Sequence, residues 1–281
     1  MTAIIFLGIA IASYLLTSCI LPPIERMLTE AGFVRPNFQK EQIPLGVGLV
    51  FFLSPFVILA GAKLFNLVGI DIYMYIFALG AMGLFGLIDD VFGTRGASGL
   101  VGHFKKLFLR HELTTGALKA IAGILVALLI SLEISAGSGV YRWLGVFLNI
   151  LVMALSTNAI NLLDLRPGRA GKGFLVLALF VLIVGARDPQ LLYLSAVMGS
   201  LIAFLPSDLK AAAMMGDTGS NMLGITLGYT AVFVLDQPVK IGYLVFLVGF
   251  HLLTEKYSLT KIIEKNKLLN YIDMMGRRES R

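Results

Sequence analysis

The sequence predicts an all-α protein, a polytopic transmembrane helical bundle of about nine spans with its N-terminus outside and an amphipathic tail in the cytoplasm. Three observations carry this expectation. Hydrophobic residues make up 57% of the 281 positions and charged residues only 14%, with a mean hydropathy of +0.86, whereas a soluble domain is roughly 45–50% apolar. Apolar runs long enough to cross a bilayer recur along the whole chain. The basic residues gather in alternate connections, as the positive-inside bias requires.

The expected spans are 3–21, 43–62, 72–92, 115–134, 141–160, 172–187, 189–206, 218–235 and 239–256, each bounded by charges, Pro or Gly. The first has no Lys or Arg ahead of it, so it is taken as a span rather than a cleaved leader despite the LTSC that closes it. Arg187, Asp188 and Pro189 form a tight turn between the sixth and seventh. Residues 1–256 are expected to form a membrane-embedded catalytic unit and 257–281 a cytoplasmic interfacial tail. In that tail Leu259, Ile262, Ile263, Leu269 and Ile272 recur at helical spacing among Lys261, Lys265 and Lys267, the pattern of a membrane-surface anchor.

With the N-terminus outside, every Lys and Arg except Lys63, Arg142, Arg187 and Lys240 falls on the inner side. The net charge of +6 is thereby explained by topology and by attraction to anionic lipid, and nucleic acid is not an expected partner. Cys19 is the only cysteine, so no internal disulfide forms, and no Cys and His spacing marks a zinc site.

A carboxylate near a span end costs several kcal/mol if unpaired, and three segments place carboxylates there. In GLIDDVFG, Asp89 and Asp90 end the third span. Adjacent carboxylates at the edge of a low-dielectric region favour a cation or a shared proton, and magnesium is the natural partner, with two solvated aspartates as the plainer reading. In NAINLLDLRPGRAGKG, Asn158, Asn161 and Asp164 follow one another at i, i+3 and i+6, which puts them on one helix face, able to meet a metal or sugar hydroxyls. Arg166, Arg169 and Lys172 follow in a Gly- and Pro-containing loop suited to a diphosphate. In MMGDTGSNMLG, Asp217, Thr218, Gly219 and Ser220 open a helix, combining a carboxylate, small hydroxyls and free backbone N–H groups suited to a metal-bound phosphate. A plain N-cap would need none of the surrounding glycines.

Together these segments resemble the polyprenyl-phosphate N-acetylhexosamine-1-phosphate transferase family (glycosyltransferase 4, phospho-MurNAc-pentapeptide translocase-like), of which this chain looks like a divergent member. RPNFQKEQIPLGVG offers Lys40 before Pro44, Gly46 and Gly48; Asp89 and Asp90 match the family's DD pair; Asn158, Asn161 and Asp164 match NxxNxxD; and GDTGS is reproduced at Gly216 to Ser220. The resemblance implies a cell-membrane, multi-pass enzyme working with magnesium, or manganese in its place. A polyprenyl (undecaprenyl) phosphate oxygen would attack the β-phosphorus of a UDP-sugar, and UMP would leave. It implies that Asp217 holds the metal with help from Asn161. Asp89 and Asp90 would orient the metal and the lipid phosphate, one of them taking its proton, while Lys40 would contact the nucleotide. Thr218 and Ser220 belong to the same binding set, and a homodimer is compatible with it.

Three departures from the family pattern stand out. Where the family reads NxxDGxDGLA, this chain has NLLDLRPGRA, so that Leu165, Pro167 and Arg169 replace a Gly, an Asp and a Leu. The HHHxE motif is absent, leaving His251 before LLTEKYS as either a helix-end residue or a phosphate contact. A final span is also missing. An N-acetylhexosamine donor is therefore expected in preference to one bearing a pentapeptide. The alternatives are a family member that binds lipid phosphate or a partner without turnover, kept open by the altered loop, and a transporter, disfavoured because the carboxylates cluster at one interface.

Overall fold

The computed structural model describes residues 2–93, 112–186 and 188–277. Arg95, Lys105, Lys106, Arg110, Arg187, Arg278 and Arg281, counted above toward orientation, and the start of the 187–189 turn lie outside the described residues.

Each expected span meets a helix. These are α1 (Thr2–Glu30), α2 (Val50–Leu64), α3 (Ile72–Phe92), α4 (Thr115–Ile134), α5 (Gly139–Leu163), α6 (Arg169–Val184), α7 (Leu191–Leu209), α8 (Gly216–Val234) and α9 (Gln237–Lys256). Seven of them are long and apolar enough to cross a membrane; α6 and α8 are not among the seven. At 16 residues α6 is short for a crossing. Helix α8 carries the polar GDTGSN opening and is enclosed by its neighbours, so its outer surface does not need to be oily. Helix α1 runs past its apolar segment through Pro22 and Pro23 to Glu30, longer than the run to residue 21 alone predicts.

The structure departs from a purely helical plan between α1 and α2. There β1 (Val34–Pro36) and β2 (Gln42–Pro44) pair antiparallel, Arg35 opposite Ile43. The turn is closed by Asn37, whose Oδ1 accepts the N–H groups of Gln39 at 2.8 Å and Glu41 at 3.0 Å, an arrangement in which Asn mimics a backbone turn. Two three-residue strands are too short to leave a periodic signal in sequence. Beyond α9 the chain forms α10 (Leu259–Lys265) and α11 (Lys267–Met274).

Helix α8 is the hub, touching α2, α3, α5, α6 and α7. All its residues from Gly216 to Val232 are buried except Asp217. Lipid tails offer helices no hydrophobic reason to associate, so close packing of small residues and interhelical hydrogen bonds must do it. A methyl at Gly224 would overlap the Cα of Thr157 on α5, and one at Gly228 would come 2.7 Å from the Cα of Met153. Between α1, α2 and α7 the Thr17 hydroxyl lies 2.7 Å from Ser54 Oγ and 2.9 Å from Ser200 Oγ. At the start of α3, Asp71 accepts the Tyr193 hydroxyl at 2.7 Å through its carboxylate and the Tyr229 hydroxyl at 3.1 Å through its carbonyl. This pins α3, α7 and α8 at one end; Asp89, eighteen residues along α3, stands about 27 Å away at the other.

If the Gly224 contact sets the α5–α8 spacing, Gly224→Leu must push the helices apart. The expected loss is about 1–3 kcal/mol, read as a lowered Tm in detergent; an unchanged Tm would mean the two backbones do not meet there.

Candidate active site

Asp90 is the first fixed point. It is buried at the end of α3, and its carboxylate caps the N-terminus of α8. Oδ1 accepts the Asp217 N–H at 2.9 Å, while Oδ2 accepts the Thr218 N–H at 2.9 Å and the Thr218 hydroxyl at 2.6 Å. The first turn of a helix has unsatisfied N–H groups and a partial positive charge, so a buried carboxylate there is held by both hydrogen bonding and the dipole. The approach needs two glycines. Gly216 adopts φ +70° with the Asp90 carboxylate against it, and at Gly86 any side chain would strike the Asp217 carbonyl. From the other side the Arg35 guanidinium donates to the Asp90 carbonyl at 2.9 Å, tying the β hairpin to the end of α3.

Asp89 and Asp217 then face one cation. The Lys119 ammonium, one turn into α4, donates to Asp89 Oδ2 at 2.8 Å and to Asp217 Oδ2. Their side chains are 16% and 30% exposed and that of Lys119 14%, so the pair opens toward solvent on the Asp217 side. Asn161 is drawn in by Ser220, whose hydroxyl donates to Asn161 Oδ1 at 3.0 Å. Asp164 caps the end of α5. Burial, and then the charges of Asp208, Asp217 and Asp90, push its carboxyl well above the usual carboxylate range. A carboxyl in that setting is inclined to keep a proton.

The structure thus brings Asp89, Asp90, Asn161, Asp164, Asp217, Thr218 and Ser220 to one end of the bundle. Asn158 sits one turn before Asn161 on the same helix, half-buried. Lys40 stands exposed at the hairpin turn, with φ +66°. The Arg166 guanidinium lies 5.8 Å over the Phe38 ring, a cation–π contact. His251 Nδ1 donates to the Leu247 carbonyl at 2.8 Å, and its Nε2 is buried without a partner among the described residues. Arg169 and Lys172 turn away from the carboxylates and engage the C-terminal tail. Arg169 grips Asp273 with two hydrogen bonds of 2.9 Å, and Lys172 donates to the carbonyls of Ile272, Asp273 and Met275.

Two residues of this end escaped the sequence reading. Lys119 was counted only as an inward basic residue, although a lysine one turn inside an apolar run is itself an unpaired charge that needs an acid. Asp208, at the end of α7, has the Gly168 N–H as a partner, and one of its carboxylate oxygens is buried with none among the described residues.

Among the described residues no three His, Cys, Asp or Glu side chains converge to enclose a metal. Asp89 and Asp217 nonetheless direct hard oxygen donors at one point, which the Lys119 ammonium holds as a stand-in cation. Such a pair fits magnesium, which commonly binds through one or two carboxylates and completes its shell with water and substrate phosphate.

The family model for glycosyl transferase family 4 matches residues 71–235. The chain is similar to the phospho-N-acetylmuramoyl-pentapeptide-transferases of Caldicellulosiruptor bescii, 29% identical over 223 residues that cover 70% of this chain and 64% of that protein. The one from Dictyoglomus thermophilum is 29% identical over 225 residues, 77% of this chain and 66% of its own length. That of Clostridium kluyveri is 25% identical over 271 residues, 88% of this chain and 81% of its own. In the first two cases the chain spans a little under two thirds of the relative.

Two outcomes follow from the geometry. Asp90→Ala strands three donors at the start of α8 and should cost about 1–3 kcal/mol, seen as a drop in detergent Tm. Asp90→Asn, which keeps an acceptor, should lose less, and equal losses would show that the cap is not what Asp90 supplies. For the tail, burial alone would raise Asp273, but the Arg169 hydrogen bonds and charge and the Arg277 charge outweigh it and hold the carboxyl below the usual range. The stability this gives is complete above the unfolded value of about 3.9 and is lost as pH falls through the lower folded value. Hydrogen exchange of residues 259–274, corrected for intrinsic rate, should accelerate only under that acid condition. Acceleration on raising the pH toward neutrality would reverse the assigned sign.

Proposed function

The chain belongs to glycosyl transferase family 4, and on that premise we propose that it transfers a sugar 1-phosphate, from an N-acetylhexosamine donor, to polyprenyl phosphate. It is a multi-pass protein of the bacterial cytoplasmic membrane. In the proposed orientation the N-terminus is outside and the α3, α5 and α8 ends carrying the site face the cytoplasm, where a soluble nucleotide-sugar and a lipid head group can meet.

A phosphate oxygen of the lipid forms a new bond to the β-phosphorus of the UDP-sugar. The bond from that phosphorus to the oxygen bridging it to the α-phosphate breaks, and UMP leaves with the bridging oxygen. Such a transfer asks little covalent chemistry of the protein and much positioning and charge neutralisation. The observation that carries the reading is the convergence of Asp89 and Asp217 on one cation beside the Asp90-capped N-terminus of α8. Asp217 and Asp89, with Asn161 adjacent, would hold magnesium, which would supply charge neutralisation for the diphosphate. Lys119, released from the carboxylates, offers its ammonium to a phosphate oxygen. Asp90 keeps Asp217 and Thr218 in register through the α8 cap. Asp164, which favours its protonated form, is placed to give or take a proton near the phosphates. Lys40 on the hairpin and Arg166 beside Phe38 take the nucleotide end.

Purified protein supplied with magnesium, radiolabelled UDP-N-acetylhexosamine and undecaprenyl phosphate should yield a lipid-linked sugar and UMP. Asp217→Asn, still folded in detergent, should lose about 10²–10³-fold or more in kcat. Full activity in that variant would remove Asp217 from the site, and no turnover with any nucleotide-sugar would favour a non-catalytic binder.

A further inference from the structure

The C-terminal tail is held by more than a surface anchor requires. Arg169 is only 5% exposed and spends its whole guanidinium on the tail: Nε and Nη2 each donate to Asp273 at 2.9 Å, and Nη1 donates to Thr260 at 3.0 Å. Arg277 adds a hydrogen bond of 2.6 Å to the same carboxylate, and its Nε donates to the Pro167 carbonyl at 2.7 Å. Lys172 contacts three tail carbonyls at 2.7–2.9 Å and no carboxylate. Two guanidinium groups therefore hold one carboxylate, and the Lys172 ammonium acts on it by charge. Asp208 is the other acid whose charge reaches this cluster, acting on Lys172 and Arg277 from α7. Beneath the ion cluster α5, α6, α9 and the tail line an open apolar pocket of about 330 Å³, with Leu163, Val176, Phe246, Phe250, Ile263 and Ile272 in its wall.

Arg169 at the start of α6 grips Asp273, and Pro167, two residues earlier, supplies the carbonyl for Arg277, so one short stretch holds the tail.

A guanidinium fork recognises carboxylate and phosphate with the same geometry, and a phosphoryl group brings more charge and a third acceptor oxygen. We infer that Arg169 and Lys172 form a phosphate-binding cradle in which Asp273 is the resident occupant, with Arg277 of the tail helping to hold it there, so that a phosphoryl group entering the cradle displaces the tail and widens the pocket below. The phosphoryl group is either free in solution or the head of a lipid. The inference does not depend on the transfer reaction, because its readout is the position of the tail.

The test labels two exposed positions with nitroxides in the full chain, Leu165→Cys on the loop and Leu268→Cys on α11, in a Cys19→Ser background, and measures their distance distribution by pulsed EPR. Without phosphate a single docked distance is expected. Inorganic phosphate should shift the distribution to longer distances if a free phosphoryl group is the ligand. If the ligand is lipid-borne, nanodiscs containing phosphatidic acid should shift it where phosphatidylcholine alone does not. Asp273→Asn should raise the undocked fraction at least tenfold without ligand and tighten phosphate binding measured by calorimetry. Lys172→Gln, which leaves the Asp273 pair intact, should keep the tail docked and weaken phosphate binding. A distribution unmoved by both phosphate sources, with no phosphate affinity in Asp273→Asn, would overturn the inference and leave the cluster a structural salt bridge.

Discussion

Everything at the working end of this molecule depends on one interhelical cap, the Asp90 carboxylate of α3 set against the first turn of α8. A buried carboxylate is costly unless its oxygens are satisfied. Here each oxygen is satisfied by groups that α8 would otherwise leave bare. The same contact explains why Gly86 and Gly216 carry no side chain, why Asp217 emerges beside Asp89, and how Lys119 comes to bridge the two. Asp90 is thereby separated from its sequence neighbour in role: one aspartate of the pair holds two helices together while the other faces the cation.

The helical plan was readable because a bilayer demands long apolar runs, and runs such as 72–92 and 115–134 coincide with α3 and α4. What escaped was short: the hairpin at 34–44 has too few residues for a period, whereas α8, polar at its start and buried along most of its length, falls on the run expected at 218–235. Among the site residues, Asp89, Asp90, Asn161 and Asp217 stood out as polar groups at span ends without a basic neighbour in sequence, and the fold brings them together. Asp208 was not singled out, and Lys119 was absorbed into the count of inward basic residues. The Arg169 contact with Asp273 joins residues 104 apart, and no local pattern announces it.

The structure assigns two different tasks to the basic residues that looked alike in sequence. Arg166 remains at the hairpin side near Phe38, whereas Arg169 and Lys172 close over the tail. The stretch that opens α6 thus anchors the tail, and the part of the pocket wall made by α10 and α11 comes with it.

The central claim is that Asp89 and Asp217 together make a divalent cation site that Lys119 now fills. Manganese binding to the purified protein, followed by EPR, tests it most directly. Lys119→Met should tighten manganese binding by freeing both carboxylates, and Asp217→Asn should abolish it. Equal binding by the parent protein, Lys119→Met and Asp217→Asn would place any bound cation elsewhere and contradict the account.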